Sequence, residues 1–395
     1  MGSASSKPQP KNPALNPLKN LPQDEVPYPG PATEYCFFNT EVLVTIQRDL
    51  PWGNSVKIST NTREYHPDLV HQMTEGFRLL SFYNIPQQQK KMDSTKILKP
   101  FQGIFYRYPS APFEYELKVE KSIINTQMNW SGIITANNDP DCQHLFRAIA
   151  TNTANGGRLV CLEMTGQEET QGQRSSTVGC DLFFELPAGL STENFTYSIV
   201  SAPMSVEIET SFFKRKQTPV KVSCDWHGIL AQNLGQGFKL VEIFIDKARF
   251  QAGFTANTEV NTQWFFEKPA SRLNDPTPLY QGVVVEHWII LHRHPRTLQV
   301  VKTVTNWEPV IQEMGDRGWE LACILETPEE KLSGWKEPYY WVDPVRIKKT
   351  IQMKKIPGTL MKCLLFFQRP ILSQPEVDAP SVEVKVEEVP PSPAY

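Results

Sequence analysis

The sequence has no apolar run that approaches the roughly 18–20 residues of a membrane-spanning helix. Its first residues also lack the apolar core of a secretory signal. The formal net charge is only −3, so no overall basic field favours nucleic acid. None of the seven cysteines has the C-x-x-C spacing of a zinc or redox site. These absences predict a cytosolic protein with buried, reduced thiols rather than a disulfide framework, and without a nucleic-acid partner.

Motifs of catalysis are also missing. The sequence contains no G-x-S-x-G, Walker A, dinucleotide-binding or H-E-x-x-H motif. His292 and His294 would point to the same side of an extended segment and could hold a metal, but a charged hairpin explains them more simply. We therefore predict no catalytic residue, no metal ligand and no cofactor. An enzyme is kept as a third alternative, which a cleft with grouped acids, bases or a metal would revive.

Proline is abundant, with 33 residues, and it is concentrated at the two ends of the chain. Proline lacks a backbone donor and biases the preceding residue away from helix. Residues 1–33 are therefore predicted to form a disordered Pro-rich arm. Residues 373–395 combine prolines with acidic residues and a single base, Lys385, so they are predicted to be a disordered acidic tail.

Between these ends, two short motifs alternate four times. The first, G-x-x-L, begins at glycines that are 80, 81 and 81 residues apart: Gly76, Gly156, Gly237 and Gly318. The second is Phe, an aromatic residue, two further residues and Pro: Phe105–Pro109, Phe183–Pro187, Phe265–Pro269 and Phe366–Pro370. Each motif is weak alone, but their constant order and spacing predict an internal repeat.

The motifs have a direct structural interpretation. Apolar residues at i, i+4 spacing precede each glycine, which predicts a helix that ends in a left-handed glycine. Asp139, Asp225 and Asn306 are candidate helix caps, and strand-like runs lie on both sides. The sequence therefore predicts an α+β protein of four tandem ββαββ repeats of about 80 residues, each an antiparallel sheet with one helix. Their predicted bounds are 34–112, 113–195, 196–280 and 281–372, and the sequence leaves open whether they form one body or two pairs.

The first residues match a lipidation signal. Met1-Gly2-Ser3-Ala4-Ser5-Ser6 fits M-G-x-x-x-[ST], which predicts N-myristoylation of Gly2. One myristoyl chain gives only marginal binding, with K of roughly 10⁴ M⁻¹, so a second signal is needed. Lys7, Lys11 and Lys19 could supply it at an anionic leaflet. A plain solvated arm explains these lysines equally well.

A second candidate membrane contact lies in the fourth repeat. A long loop after Leu325 is predicted to combine aromatic and basic side chains, which suits a membrane interface or an acidic partner. The alternative is a hairpin with a solvated charged face. The candidate contact residues are Trp335, Tyr339, Tyr340, Trp341, Arg346, Lys348, Lys349, Lys354 and Lys355.

Three motifs of the fourth repeat resemble the raftlin family of lipidated raft proteins. The run 283–288, Val-Val-Val-Glu-His-Trp, is similar to the family's V-V-V-E-Q-W. Residues 318–328 are similar to its G-W-x-L…V-L-P-T-P, and residues 366–370 to its F-L-Q-R-P. The likeness is densest over 282–370. It implies an acylated scaffold on the inner face of the plasma membrane with links to signalling and endocytic traffic. Gly2 matches the family's myristoylated glycine, whereas Ser3 stands where the family has a palmitoylated cysteine.

Two hypotheses lead from these observations. The first is a myristoylated, non-catalytic raftlin-like scaffold or adaptor at the cytosolic face of the plasma membrane or endocytic vesicles, with a cytosolic pool. Its partners would be membrane lipid and unidentified signalling or trafficking proteins. The second is a soluble module that binds a lipid or small ligand between repeats, with a myristoyl switch as an intermediate form. An apolar cavity with a few convergent polar groups would favour the second.

Overall fold

The computed structural model describes residues 17–24, 26–48, 56–87, 90–93, 95–108, 115–131, 135–164, 168–171, 175–187, 193–211, 216–245, 257–294, 299–339 and 354–372. These residues form antiparallel sheets and four α-helices, so the predicted α+β class is confirmed. Among them, no helix has the combined length and hydrophobicity that crossing a bilayer requires.

Four consecutive segments have closely similar element orders. Segment 1 consists of β1 (Glu34–Arg48), β2 (Val56–Thr60), α1 (Thr62–Met73), β3 (Arg78–Asn84), β4 (Lys90–Lys91) and β5 (Lys96–Arg107). Segment 2 consists of β6 (Tyr115–Ser131), β7 (Thr135–Asp141), α2 (Gln143–Ala154), β8 (Arg158–Glu163), β9 (Glu168–Gln171) and β10 (Ser175–Pro187). The short strands β4 and β9 were not predicted.

Segments 3 and 4 lack a counterpart of β4 and β9 in the part of the chain that the structure describes. Segment 3 consists of β11 (Phe195–Ser211), β12 (Lys216–Ser223), α3 (Trp226–Leu234), β13 (Lys239–Ile245) and β14 (Asn257–Pro269), followed by a 3-10 turn at Ala270–Arg272. Segment 4 consists of β15 (Tyr280–Arg293), β16 (Val300–Val304), α4 (Glu308–Asp316), β17 (Glu320–Tyr339) and β18 (Lys354–Pro370).

Strand order is the same in every segment. Across each sheet, the second strand of the segment pairs with the first, the first with the last, and the last with the strand that follows the helix. In segment 4 this order is β16-β15-β18-β17. All of these pairs are antiparallel. The sheets of segments 2 and 3 also join through a short parallel contact between β7 and β14.

The helix ends follow from local chemistry. In each segment the helix is followed by a left-handed glycine: Gly76, Gly156, Gly237 and Gly318 have φ between 77° and 82°. Asp225 caps α3 as predicted, because its carboxylate accepts a hydrogen bond from the Gly228 amide at 3.0 Å. The other two predicted caps are wrong by one to three residues. α2 begins after Cys142 and α4 after Trp307, since β7 includes Asp139 and Asn306 adopts a positive φ of 50°.

The segments close into a ring. Each of four buried apolar clusters lies between two neighbours: segments 1 and 2, 2 and 3, 3 and 4, and 4 and 1. The repeated pair of aromatics explains this packing, because consecutive side chains of a strand point to opposite faces. Phe183 packs with segment 1 and Phe184 with segment 3; Phe366 packs with segment 3 and Phe367 with segment 1.

Residues 17–24 and 26–33, which we name the N-terminal strap, pack on segment 4. Leu21 is buried in the cluster between segments 4 and 1. The Arg369 guanidinium donates to Asp24 at 2.8 Å and lies 4.5 Å from the centre of the Tyr28 ring. The Thr33 amide donates to the Gly315 carbonyl at 2.8 Å. The prediction of a disordered arm to residue 33 is therefore wrong for these residues. Proline content did not prevent order here, because segment 4 supplies the polar partners.

Two glycine substitutions separate backbone strain from strap packing. Gly156→Ala adds a Cβ that meets nothing within 4 Å, so only its positive φ is strained, at about 1–2 kcal/mol. Gly318→Ala has the same strain, and its Cβ would collide with Tyr28 Cδ1. We expect a further loss of about 1–3 kcal/mol of unfolding free energy from this overpacking. Urea denaturation of both variants measures the difference, and equal losses would show that the strap does not pack on Gly318.

Candidate functional site

Charged side chains from all four segments meet on the axis of the ring. Two residues after each left-handed glycine stand Arg78, Arg158, Lys239 and Glu320. They line a small axial cavity together with side chains of the aromatic motifs: Tyr106, Glu185, Glu267 and Gln368. We name these eight side chains the axial cluster. The glycines and the strands that follow them therefore place one charged residue per segment at the centre.

Hydrogen bonds of the axial cluster join each segment to the next. Arg78 Nε donates to Glu185 Oε1 at 2.9 Å, and Arg158 Nε donates to Glu267 Oε1 at 3.0 Å. Lys239 Nζ donates to Glu320 Oε1 at 2.6 Å. These bonds connect segments 1 with 2, 2 with 3, and 3 with 4.

Two polar contacts complete the connections of segment 4. The Gln368 side chain accepts from the Leu240 amide at 2.9 Å and donates to the Leu240 carbonyl at 2.7 Å. Glu320 Oε2 accepts from the Tyr108 hydroxyl of segment 1 at 2.8 Å. The polar network therefore runs around the whole ring, as the apolar clusters do.

The charges of the axial cluster stabilise one another. Burial alone would raise the pKa of Glu320, but the Lys239 ammonium and hydrogen bonds from Lys239 and Tyr108 outweigh it, so the pKa lies below its ordinary value. Burial lowers the pKa of Lys239, yet the Glu320 carboxylate reverses this and raises it. The cavity has a volume of about 40 Å³. That volume suits a water molecule and is far below the roughly 300–1,000 Å³ of small-molecule sites. The axial cluster is thus suited to holding the ring together.

A larger groove lies beside β15. It has a volume of about 360 Å³ and is lined by Pro17 and Pro22 of the N-terminal strap and by residues 283–288. Side chains alternate between the faces of a strand, so a cavity on one face would meet every second residue. Six consecutive residues line this groove, which indicates that it follows the hydrogen-bonding edge of the strand. We name it the edge groove.

The pairing of β15 leaves that edge uncovered. β18 pairs with β15 along residues 280–292, on one side. On the other side β16 pairs only with residues 290–293. In the described part of the chain, no strand therefore pairs with the outer edge of residues 283–288. Such an edge presents backbone N–H and C=O groups that can accept an extended chain.

The two faces of the strand beside the edge groove differ in polarity. Val285 and His287 are buried on one face, and burial lowers the pKa of His287. His287 Nε2 lies 2.6 Å from the Thr305 carbonyl oxygen. On the other face Glu286 forms an ion pair with Lys362, and Lys331 Nζ lies 4.1 Å from the centre of the Trp288 ring. An occupant of the groove would meet an apolar face on one side and charged groups on the other.

The structure brings few of the predicted contact residues together. Lys19 is exposed in the 3-10 turn Pro17–Asn20 of the strap, whereas Gly2, Lys7 and Lys11 lie outside the described residues. The loop predicted after Leu325 is instead a continuation of β17, which pairs with β18 so that Tyr339 stands opposite Lys354 and Pro338 opposite Lys355. Trp335 lies on β17; its side chain and those of Tyr339, Lys354 and Lys355 are not described. The remaining candidates lie outside the described residues: Tyr340, Trp341, Arg346, Lys348 and Lys349.

The two histidines considered as metal ligands lie at and just after the end of β15. His292 is buried in β15, and His294 follows that strand. Within the described ranges, no three His, Cys, Asp or Glu side chains are grouped so that they could hold a metal ion.

Sequence reasoning missed both the axial cluster and the edge groove. The signal for the first was present, because a charged residue follows each glycine at the same distance and an acid or amide stands at the third position of three aromatic motifs. The groove depends on where β16 begins to pair and on the path of the strap. Neither property has a local sequence signal.

Comparison with known proteins gives two partial matches. The chain is 24% identical to raftlin of Mus musculus over 126 residues, which are 32% of this chain and 21% of that protein. It is 26% identical to raftlin of Gallus gallus over 140 residues, which are 35% of this chain and 20% of that protein. The matched parts span about a fifth of the length of these curated relatives. No family model and no solved structure matches. Together with the three motifs of segment 4, these matches support a distant raftlin-like relationship over about a third of the chain.

Proposed function

We propose that this protein is a myristoylated, non-catalytic scaffold of raftlin-like type, attached to the cytosolic face of the plasma membrane or of endocytic vesicles. The resemblance to raftlins supports the membrane location, and the motif at Met1–Ser6 supports the lipid on Gly2. The observation that carries the proposal is an exposed apolar patch where the strap meets the end of segment 4.

The patch combines residues of the strap and of the chain after β18. Val26 is 74% exposed, Ile371 47% and Leu372 42%. Val26 is held next to the end of β18, because Asp24 binds Arg369 and the Tyr28 hydroxyl donates to the Pro370 carbonyl at 3.1 Å. We name these three side chains the apolar patch.

The apolar patch supplies the second signal that one myristoyl chain needs. Full burial of a large apolar side chain contributes about 1.5–3 kcal/mol, and partial insertion contributes a fraction of that. Exposed Lys19 adds about 1 kcal/mol near an anionic leaflet. Lys19 and Val26 belong to the strap, which follows Gly2 in sequence, and the strap contacts the end of β18, so we expect the acyl chain and the patch to engage one membrane.

The scaffold part of the proposal rests on the ring. We infer that the four segments are copies of one ββαββ unit, because each has the same sheet order and the same left-handed glycine. Apolar clusters and the axial cluster fix the segments relative to one another, which leaves the outer surfaces for signalling or trafficking proteins.

Membrane flotation with a clickable myristate analogue tests the proposal. We expect the wild type to be labelled and to float with anionic vesicles. Gly2→Ala should lose both the label and flotation. Val26→Asp with Ile371→Asp should keep the label but bind vesicles about tenfold more weakly, because a single acyl chain is a marginal anchor.

Met92→Asp is the matched control. Met92 is also apolar and 60% exposed, but it belongs to segment 1 and not to the strap or to the chain after β18. This variant should float like the wild type. If the patch variant floats as well as the Met92 variant, the apolar patch is not a membrane contact. An unlabelled wild type would remove the anchor from the proposal.

The edge groove favours a second candidate function, a soluble module that shelters a lipid or small ligand. Its volume of about 360 Å³ falls within the roughly 300–1,000 Å³ of small-molecule sites. A wild type that is labelled but stays in the soluble fraction would favour this function, with the acyl chain held in the protein.

A further inference from the structure

The edge groove has the dimensions and the chemistry of a site for one added strand. It follows six consecutive residues of β15, and the outer edge of that strand has no strand partner among the described residues. An extended peptide that binds such an edge gains backbone hydrogen bonds from the strand and side-chain contacts from alternate residues. A strand of five or six residues spans about 17–20 Å, which is the length of this edge.

The acidic tail contains one segment with the pattern of such a strand. Residues 382–387 read Val-Glu-Val-Lys-Val-Glu, with strict alternation of apolar and charged side chains. This period predicts a half-buried strand, and valine favours one. The surrounding composition is too acidic and too rich in proline for the tail to order itself. An edge that supplies backbone partners and an apolar face would order this segment.

The tail leaves the ring close to the groove. The Ile371 amide donates to the Leu279 carbonyl at 2.8 Å, so the described chain stops beside the residue that precedes β15. The groove begins at Val283, about 13 Å further along the strand at 3.3 Å per residue. Residues 373–381 can span up to roughly 30 Å when extended. The connection is long enough without strain.

The faces of the segment complement those of the groove. The valines of the segment can lie on the face of the buried residues Val285 and His287. Its charged residues then lie on the opposite face, with Glu286 and Lys362. A segment that enters beside Val283 and runs in the direction of β15 places Lys385 next to Glu286. Its glutamates then lie on the face that carries Lys331 and Lys362, which are paired on that face with Glu329 and Glu286.

We propose that residues 382–387 of the tail add to β15 as a strand in the edge groove. The tail then covers an edge that would otherwise be open to other chains, as proteins commonly arrange for exposed strand edges. The connection is intramolecular, so the effective concentration of the segment is in the millimolar range. A partner that supplies its own strand must displace the tail.

Hydrogen exchange of the β15 amides tests this proposal on the full chain without acylation, so the result does not depend on the membrane proposal. In the wild type, the groove-facing amides of residues 283–288 should exchange at least about tenfold more slowly than in Val384→Pro. Proline at 384 removes a donor and is not tolerated within a paired strand. Val377→Pro, which lies in the tail before the segment, is the matched control and should exchange like the wild type.

Three outcomes would overturn the proposal. Equal exchange in the wild type and in Val384→Pro would show that the segment does not occupy the edge. Equal loss of protection in Val377→Pro and Val384→Pro would show that residues 382–387 are not the docked part. The third outcome concerns a myristoylated preparation. If Gly2→Ala abolishes protection of the β15 amides and Val384→Pro does not, the acyl chain occupies the groove.

Discussion

Replacement of Glu267 by glutamine is expected to lower the free energy of unfolding by about 3–5 kcal/mol, because it removes the carboxylate that is hydrogen-bonded to the largely buried Arg158 guanidinium. The Glu267 side chain is only 3% exposed and that of Arg158 23%. Both Glu267 oxygens accept from Arg158 Nε, at 3.0 and 3.1 Å, and the Tyr197 hydroxyl donates to Oε2 at 3.3 Å. Glutamine keeps the shape of the side chain but offers one acceptor and no charge. Chemical denaturation of the purified variant measures the loss.

Glu207→Gln is the control for this substitution. Glu207 lies 3.9 Å from Lys221, and these side chains are 56% and 65% exposed. A pair of this kind contributes about 0–1 kcal/mol, because water and salt screen the charges. If the two variants lose the same stability, the axial pairs do not act as buried charges and the ring is held by its apolar clusters alone.

The sequence predicts local features of this fold but not the contacts between segments. Local periodicity was sufficient for the helices, for the four left-handed glycines and for most strands, because these depend on residues close in sequence. It was also sufficient to find two aromatics in every segment. It could not show that Phe183 and Phe184 pack with different neighbours, since that requires the relative placement of three segments.

Errors at the strap and in segment 4 have a similar cause. The prolines of the strap predict disorder, but Arg369 binds Asp24 and Arg317 binds the Pro22 carbonyl, both across more than 290 residues of sequence. The sequence predicts that β17 ends near Leu325, yet its pairing with β18 continues to Tyr339 through two further irregularities of register. Contacts across such sequence distances have no signature in composition or short-range pattern.

Another contact that links residues distant in sequence closes the ring between segments 4 and 1. Trp307 lies at this junction. Its side chain is fully buried, and its Nε1 donates to Gln102 Oε1 at 2.7 Å. The Tyr83 ring packs edge-on against it, with centres 4.9 Å apart. Both partners belong to segment 1, so Trp307 joins the last segment to the first.

Trp307→Ala is therefore expected to lower the free energy of unfolding by about 3–5 kcal/mol through the cavity that it leaves. Trp307→Phe keeps much of the apolar contact but leaves the buried Gln102 oxygen without a donor, which should cost about 1–3 kcal/mol. Urea denaturation gives both values. The strap lies on the same junction, so hydrogen exchange of Leu21 and Thr33 should accelerate more in Trp307→Ala than in Trp307→Phe.

Trp226→Ala is the control for Trp307→Ala. It tests whether faster exchange in the strap requires loss of packing at the junction of segments 4 and 1. Trp226 begins α3 at a position similar to that of Trp307 before α4, but it is only half-buried and contacts Trp264 and Phe366 at the junction of segments 3 and 4. Its removal should cost about 1–2 kcal/mol, since part of its surface already contacts water, and it should leave exchange in the strap unchanged. Accelerated exchange of the strap in Trp226→Ala would mean that the junctions open together, in which case the ring unfolds as one unit and Trp307 has no special part in its closure.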